Sequence, residues 1–440
     1  MESDDNFLTA VGAGTPCGEY LRRFWHPFML ACELKDLPVA LRLLGEDLVV
    51  FRDRGGRLGL LHKHCAHRGT SLEFGIPQAR GIRCCYHGWH FDVDGTILET
   101  PAEPPGSRIK ENFCQGAYRV IERHGLLFAY LGAPERLPPF AAYDTFDFPA
   151  DNRLAPFKLA LPCNWLQVVE NACDPIHNAF LHTIVDGQQF SPAFKALPAL
   201  DFVPTPLGFL AMATRRVRDF VFVRSSDIIL PNVAQFPTGA NRVERESCGA
   251  NPYVTRWAVP LDDHNALYIG YGHLNAHNAA SRDLSPEKYG VGKLPFVGQT
   301  DDRPYEERQR EPGDFDALAS QGRIANRKAE HLGTSDRGVA LFRRLLKKAI
   351  TEPASAFPGR DRVEDEPTAS FVHEVVLRLP PGVMTDVDSI GQFGRETARR
   401  YLESVASYPA TQAEPRQRAF REAIAALSRN CSGGALESRP

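Results

Sequence analysis

Cys65-Ala66-His67 and, sixteen residues further on, Cys84-Cys85-Tyr86-His87 decide how this chain is read. Each half sets one thiol and one imidazole two or three residues apart, so two short neighbouring loops can aim four ligands at one small object. The sequence around them is strand-like. Residues 41–52 read as strand, turn, strand, and Arg54-Gly55-Gly56-Arg57 is a hairpin turn with an apolar run at 58–61 behind it. Residues 92–96 make a further turn between apolar runs, and 118–121 and 126–131 are expected strands. Short strands at this spacing make 27–140 a small antiparallel module, entered through a helical leader over 1–26. Gly12-x-Gly14 in that leader follows no strand, so it is given no dinucleotide role.

Two kinds of site use these ligands. In a Rieske centre, thiolates hold one iron of a [2Fe-2S] cluster and imidazoles hold the other. The neutral imidazoles raise the potential into roughly −150 to +300 mV, against about −400 mV for an all-cysteine plant-type cluster. A Cys2His2 zinc site draws on the same side chains. The close pairing of each cysteine with a histidine is unlike the zinc-finger arrangement and favours the cluster, with Cys65, His67, Cys84 and His87 as its ligands. Cys85 is a competing thiol, but the C-x-x-H spacing selects Cys84.

The 440 residues allow two or three domains of ~150 residues and a large core. A net charge of −3 argues against binding nucleic acid by bulk phosphate attraction. No apolar run reaches the ~20 residues of a membrane-spanning helix. The acidic start, Met1-Glu2-Ser3-Asp4-Asp5, lacks the basic and apolar regions of a signal peptide, so a cytoplasmic location is expected. Ten dispersed cysteines in such a chain are not expected to form a disulfide framework.

Leu137-Pro138-Pro139-Phe140 reads as a linker into a larger second part. Strand-like runs cover 202–224, 226–236 and 254–271, and 163–183 reads as helical with an interruption at Asp174-Pro175. A strong helix is expected over 335–350. Val339, Leu341, Phe342, Leu345, Leu346 and Ile350 form its apolar face, and Lys347 and Lys348 suit its C-terminal dipole. Two more helices are expected over about 387–405 and about 413–428, with a frayed tail beyond.

The second part carries its own ligand pattern, Glu170-Asn171-Ala172-Cys173-Asp174-Pro175-Ile176-His177-Asn178-Ala179-Phe180-Leu181-His182. His177 and His182 are five residues apart. On a regular α-helix that leaves their side chains ~140° apart, so they do not aim at one ion. Pro175 offers a remedy by breaking the helix, with Asp174 capping a new helix that has Pro175 at its first position; a local bulge would serve as well. Two histidines and one carboxylate on one face of an iron make the facial triad of non-haem Fe(II) oxygenases. The carboxylate need not be local, and Asp314 and Asp316 in Glu311-Pro312-Gly313-Asp314-Phe315-Asp316 are both candidates.

These motifs, with His67-Arg68-Gly69 and His87-Gly88-Trp89-x-Phe91-Asp92 around the first pair, resemble the terminal oxygenase component of Rieske non-haem iron ring-hydroxylating oxygenases, in the phthalate-dioxygenase-like branch. The resemblance runs from about residue 8 to about 350. It includes Gly14-Thr15-Pro16, Arg22-Arg23-x-Trp25-His26-Pro27, Leu43-Leu44-Gly45-Glu46-Asp47-Leu48, Ser320-Gln321-Gly322, Glu330-His331-Leu332-Gly333 and Ser335-Asp336. One departure is Cys85, where the family usually has proline. The resemblance implies an α+β chain with a small all-β Rieske [2Fe-2S] domain over 27–140. It implies a helix-grip (START-like) catalytic domain over 141–410, with a curved antiparallel sheet around a long helix, followed by a C-terminal helix and tail over 411–440. It implies that Asp314, six residues before Ser-Gln-Gly, completes the mononuclear iron site with His177 and His182, Asp316 being the reserve. It further implies a homotrimer in which Asp174 bridges His177 to the cluster ligand His87 of a neighbouring chain.

The chemistry expected is reductive oxygenation of an aromatic or other cyclic small molecule, by monooxygenation (hydroxylation or O-/N-demethylation) or by cis-dihydroxylation. The chain has no plant-type ferredoxin motif and no nicotinamide or flavin fingerprint, so electrons are expected from a separate NAD(P)H-dependent reductase. The competing reading is a Rieske electron carrier without oxygenase chemistry. The pocket is expected in 184–260 with parts of 290–310. Arg215, Arg216, Arg242, Arg245 and Arg256 lie there or nearby, and an arginine fork suits a carboxylate.

Overall fold

The computed structural model describes residues 4–140, 142–185, 192–237, 243, 245–279, 302–352, 366–380 and 382–432. The leader forms α1 (Asp4–Thr9) and α2 (Pro16–Leu21). Thr15 caps α2 by accepting a hydrogen bond from the Gly18 amide, and Pro16 sits at the first helical position, where no amide hydrogen is needed.

The chain then enters β1 (Trp25–Leu30), β2 (Val39–Leu43), β3 (Glu46–Arg52) and β4 (Leu58–His62). Four very short strands follow: β5 (Ile76–Pro77), β6 (Ile82–Arg83), β7 (His90–Phe91) and β8 (Ile97–Glu99). After α3 (Ile109–Asn112) come β9 (Ala117–Arg123) and β10 (Leu126–Tyr130). β1-β10-β9-β4-β3-β2 is a six-stranded antiparallel sheet, and β5-β6-β7-β8 is a separate four-stranded one. An apolar cluster of Val49, Phe51, Leu61, Leu72, Ile82, Trp89 and Phe91 also contains Cys65 and Cys84, so the two thiols are rooted in the core of this β module.

The second part holds β11 (Arg153–Leu161), α4 (Trp165–Ala172) and α5 (His177–Phe180), then β12 (Ala199–Thr205), β13 (Gly208–Val217), β14 (Phe220–Ile229) and β15 (Val233–Pro237). It continues with β16 (Ser247–Gly249), β17 (Pro252–Pro260), β18 (Ala266–Leu274), α6 (Ala276–Ala279), α7 (Tyr305–Arg310), α8 (Asp314–Ala319) and α9 (Arg337–Thr351). It closes with β19 (His373–Arg378), α10 (Val387–Ser407) and α11 (Ala413–Ser432). The sheet is antiparallel in the order β11-β18-β17-β15-β14-β13-β12, with β19 pairing β14 and β16.

Strand alternation divides this sheet into two faces. Phe209, Ala211 and Ile228 pack with Phe342 and Leu346 of α9 and with Trp165 and Val169 of α4. Leu210, Met212, Val221 and Val223 pack with Phe393 and Tyr401 of α10 and Phe420 of α11. The long helix expected against the sheet is thus α9, shared with α4, while α10 and α11 cover the opposite face. The α9 and α10 segments begin close to where their apolar periodicity places them. The expected strand over 226–236 is broken at Leu230-Pro231-Asn232, where β14 ends and β15 begins; proline has no amide hydrogen to offer a ladder. Residues 433–440, expected to fray, lie outside the described residues.

The two parts are joined by hydrogen bonds rather than by the linker alone. The Leu44 and Gly45 amides, in the β2–β3 turn, donate to the carbonyls of Pro260 (3.0 Å) and Leu261 (2.8 Å) beside the β17–β18 turn. Buried Arg22 binds the carbonyls of Val11 and Leu44 and the Glu46 carboxylate.

Gly338, at the start of α9, fits tightly against the break after α4. A Cβ there would lie 2.3 Å from the Cys173 carbonyl oxygen and 2.3 Å from the Phe202 ring. Gly338→Ala is therefore expected to destabilise the protein by about 1–3 kcal/mol through overpacking, read as a lower midpoint in denaturant unfolding.

Candidate functional site

The two cluster loops are built alike. The Cys65 carbonyl accepts from the Gly69 amide (2.8 Å), and the Cys84 carbonyl accepts from the Gly88 amide (3.1 Å). The two glycines have φ of 75° and 74°, a left-handed conformation that a side chain would strain. Cys65 and Cys84 are buried, whereas His67 and His87 are half-exposed at the loop tips. The imidazoles meet edge to face with centroids 4.6 Å apart, and His67 stacks on Trp89 at 4.7 Å with ring planes 6° apart. The amides of His67 and Arg68 point at the Cys65 sulfur. Burial and the adjoining Cys84 nevertheless push the Cys65 thiol up to about 11. Two sulfurs packed together this way suit a shared cation, which favours the thiolates. Cys85 is exposed, whereas Cys84 is buried in the core of the module.

Gln115 is a supporting residue that the sequence reading missed. It is buried, its amide nitrogen donates to the carbonyls of His62 and His64, and its amide oxygen accepts from the Ala66 amide at 2.7 Å. It staples the first loop to the segment that leads into β9. On the other loop, Arg83 donates to the Gly88 carbonyl at 2.7 Å and pairs with Glu99.

The histidine pair of the second part is aimed by two irregularities in succession. α4 stops at Ala172, residues 173–176 are not helical, and α5 starts at His177. The chain then winds as one π-helical turn over Leu181–Val185, which carries His182. The wider turn corrects the angle that a regular helix would impose on a five-residue spacing. Pro175 does not occupy the first position of the new helix, as expected from the sequence. It lies in the break, and Asp174 closes a local turn there by accepting from the Ile176 amide at 2.8 Å. With both bends in place, the His177 and His182 rings lie 5.3 Å apart.

Asp314 reaches this pair from the first turn of α8. Its Oδ1 is 3.3 Å from His182 Nε2 and 3.8 Å from His177 Nε2, and one ligand atom from each of the three residues lies within 4.8 Å of the others. Asp316, the reserve, is engaged elsewhere. It accepts from the Gly313 amide at 3.0 Å as a helix cap and pairs with Arg303 at 3.1 Å and Arg308 at 2.5 Å. α8 is held against α4 by Gln167, which bonds the carbonyls of Leu318 and Gly322 and the Ala325 amide. The Ser320-Gln321-Gly322 stretch is thereby the anchor of the helix that carries Asp314. Glu330 grips Arg343 at 2.6 and 3.0 Å, and Arg343 also binds Glu170 at 2.6 Å, tying α9 to α4.

His177 Nδ1 faces Asp174 Oδ2 at 3.7 Å and, among the described residues, has no hydrogen-bond partner. Burial works to lower the His177 pKa, but the Asp174 and Asp314 carboxylates outweigh it and the net shift is upward. Asn171, quoted in the motif but given no role from sequence, stands at the same spot. Its amide nitrogen is 3.2 Å from Asp314 Oδ1 and 3.5 Å from His177 Nε2. Its amide oxygen faces Arg256 Nη2 at 3.5 Å. A guanidinium offers only donors, so it turns the amide NH2 toward the histidine–aspartate group. Two neutral nitrogens and one carboxylate oxygen converging in this way fit a divalent iron with open positions.

Of the five arginines singled out, Arg215 and Arg256 are buried on the inner face of the sheet. Arg216 turns to the opposite side and bonds the Val383 carbonyl, Arg245 is exposed, and Arg242 lies outside the described residues. So do most of 184–191 and all of 290–301, where part of the pocket was expected. A further buried arginine, Arg224, was missed. Its signal is the alternation Phe222, Arg224, Ser226, Ile228 along β14, which puts it on the same face as Arg215.

Comparison with known proteins bears on the family and the fold. The Rieske [2Fe-2S] domain family matches residues 24–119. The oxygenase subunit of tert-butanol monooxygenase/tert-amyl alcohol desaturase from Aquincola tertiaricarbonis is 47% identical over 367 residues, covering 80% of this chain and 78% of that protein. Phenoxybenzoate dioxygenase subunit alpha from Ectopseudomonas oleovorans is 39% identical, covering 79% of this chain and 84% of that subunit. Among solved structures, the QL mutant of NdmA from Pseudomonas putida CBB5 with caffeine matches with a TM-score of 0.55 at 19% identity, over 86% of this chain and 99% of that one, which speaks to the fold. The electron-carrier reading falls with these relatives, which are oxygenase subunits along most of their length. The cofactors are a Rieske [2Fe-2S] cluster and a mononuclear non-haem iron, with NAD(P)H electrons delivered by a partner protein. The chain belongs to the Rieske non-haem iron oxygenases, as a terminal oxygenase subunit of a multicomponent system.

Proposed function

We propose that this subunit inserts one atom of dioxygen into a small organic substrate at the His177–His182–Asp314 site, using electrons that arrive through the cluster held by Cys65, His67, Cys84 and His87. The observation that carries this reading is the convergence of those three ligands, with Asp174 beside His177, in a chain that also holds both cluster loops. The bound metals supply electron delivery and dioxygen chemistry. The protein orients them. Gly69 and Gly88 shape the cluster loops, the π-helical turn aims His182, Gln167 holds the Asp314 helix, and Asn171 presents its amide NH2 to Asp314 and His177.

Monooxygenation is favoured by the 47% identical relative, whose name is that of a monooxygenase. A second reading, cis-dihydroxylation, is favoured by the 39% identical one. The relatives' named substrates include a neutral alcohol and a carboxylate, so the choice of substrate class falls to residues of the pocket. The test is a single turnover. Protein is reduced chemically, freed of reductant, and mixed with labelled dioxygen and a panel of aromatic acids, methyl ethers, N-methyl amines and tertiary alcohols. One labelled oxygen in a product, or loss of a methyl group, is expected. Two labelled oxygens would move the assignment to dihydroxylation. Dioxygen consumed by iron-loaded protein with no label in any product would count against both.

The functional unit is a homotrimer of cytoplasmic subunits divided at 27–140 and 141–410, in which Asp174 connects His177 to His87 of the partner subunit. Cys17, Cys32, Cys65, Cys84, Cys85, Cys114, Cys163, Cys173 and Cys248 are free thiols. Among the described residues, no helix is long and apolar enough to cross a membrane. Asp174→Asn is expected to retain both metals while slowing turnover by about a hundredfold, the upper end for a carboxylate that orients a metal-bound histidine. Stopped-flow oxidation of the reduced cluster in the presence of substrate reads that step. Loss of iron from the variant would instead make Asp174 a ligand.

A further inference from the structure

Every backbone amide of the first cluster loop from Cys65 to Gly69 has a target. The Cys65 amide donates to the Thr70 carbonyl at 2.9 Å, and the Gly69 amide donates back to the Cys65 carbonyl at 2.8 Å. The His67 and Arg68 amides point at the Cys65 sulfur. The Ala66 amide, which precedes those two, does not join them. It donates at 2.7 Å to the side-chain oxygen of Gln115, a residue 49 positions further along the chain. Which way the Cys65–Ala66 peptide faces is therefore set by a side chain from outside the motif. The second loop is braced at a different point, past both of its ligands, where Arg83 holds the Gly88 carbonyl.

Gln115 is itself immobilised. Its side chain is 2% exposed, and its Nε2 donates to the His62 carbonyl at 2.8 Å and to the His64 carbonyl at 2.9 Å. Two carbonyls fix which end of the amide carries the hydrogens, so the oxygen is left to face the Ala66 amide. The backbone around it is clamped as well. The Gln115 amide donates to the Gly95 carbonyl at 2.9 Å, and the Gly116 carbonyl accepts from the His62 amide at 2.8 Å. Turning the Cys65–Ala66 peptide would strand the buried Gln115 oxygen without its donor, at a cost of about 1–3 kcal/mol.

We propose that Gln115 is a positioning residue for the Rieske cluster: by fixing the Cys65–Ala66 peptide it keeps the His67 and Arg68 amides on the Cys65 sulfur, and so raises the cluster's reduction potential. Reduction adds one electron, and the ligand sulfurs share the added negative charge. N–H dipoles aimed at a sulfur stabilise that charge, which is how hydrogen bonds set the potential of an iron–sulfur centre. Gln115 acts only through the backbone of the loop. A glutamine that merely held the module together would leave the potential where it is.

The potential is measured on the full chain, loaded with both metals, by anaerobic titration of the cluster's visible absorption against a redox dye. Gln115→Leu and Gln115→Met stay close to glutamine in size. They keep the space filled and dry while removing the hydrogen bonds to His62, His64 and Ala66. Both are expected to keep the cluster's colour and to shift the equilibrium with the dye by about tenfold toward the oxidised cluster, a fall of about 59 mV for a one-electron couple. Gln78→Leu removes a glutamine that bonds the Ile76 and Pro77 carbonyls of the same module, and should leave the potential unchanged. Electron nuclear double resonance of the reduced wild type gives a second reading that does not depend on any variant folding. Exchange into D2O should remove the signals of amide protons coupled to the cluster, and in the variants that coupling should be weaker. An unchanged or raised potential in coloured Gln115→Leu or Gln115→Met protein overturns the proposal. So does a reduced wild-type cluster with no exchangeable amide proton coupled to it, or a folded variant that keeps its mononuclear iron but takes up no cluster, which would make Gln115 a residue of assembly. No turnover is needed, so the oxygenase reading and this proposal can fail separately.

Discussion

Asp314→Ala is expected to empty the mononuclear iron site while leaving the visible spectrum of the cluster unchanged. Its Oδ1 is the one carboxylate oxygen shown at 3.3 and 3.8 Å from the two imidazole nitrogens, and Asn171 braces it from the side. Without it, two neutral imidazoles remain, too few to hold a divalent iron in the facial arrangement. Product formation should fall by about a thousandfold or more, the scale seen when one member of a catalytic unit is removed. Asp316→Ala provides the contrast. That residue caps α8 and pairs with Arg303 and Arg308, so its loss should lower stability by about 2 kcal/mol, through the cap and the unpaired cations, and keep the iron. Iron retained in Asp314→Ala and lost in Asp316→Ala would reverse the assignment.

The second large effect concerns adjacent thiols. Cys84→Ala should give a protein without the cluster's colour and without electron delivery, because the buried sulfur rooted beside Trp89 and Phe91 is removed. Cys85→Ala should keep the spectrum and activity, since its side chain is exposed on the outside of the same loop. Exposure also makes Cys85 the thiol of the pair that alkylating reagents reach. Absorbance and electron paramagnetic resonance of the reduced protein decide between them. A coloured Cys84→Ala protein would mean that the loop can slide by one residue and recruit Cys85.

How far such assignments were legible in the sequence depends on how local each one is. The cluster loops could be read directly, because ligand, turn glycine and partner amide all fall within five residues. The histidine pair could be read as an anomaly, since five residues on a regular helix do not point one way; which irregularity resolves it could not. The chain answers it with a π-helical turn at Leu181–Val185 and a break at 173–176, the break lying against Gly338, which packs on the Cys173 carbonyl. Between Asp314 and Asp316 the local sequence offered no choice, because both lie in the first turn of one helix and only the fold shows which faces the histidines. Resemblance supplied that choice before the structure did. Arg224 and Asn171 escaped notice for the same reason. Their placement arises from strand register and from a helix meeting a sheet, long-range facts that periodicity along one segment does not carry. Gln115 is another such case, a single side chain bridging to residues about fifty positions earlier.

The account stands or falls on there being two metal sites in one chain. Iron and acid-labile sulfide are to be counted per chain in protein purified and reconstituted without oxygen. The account predicts about three irons and about two sulfides, two irons in the cluster and one at His177, His182 and Asp314. About two irons and two sulfides, unchanged by Asp314→Ala, would contradict it.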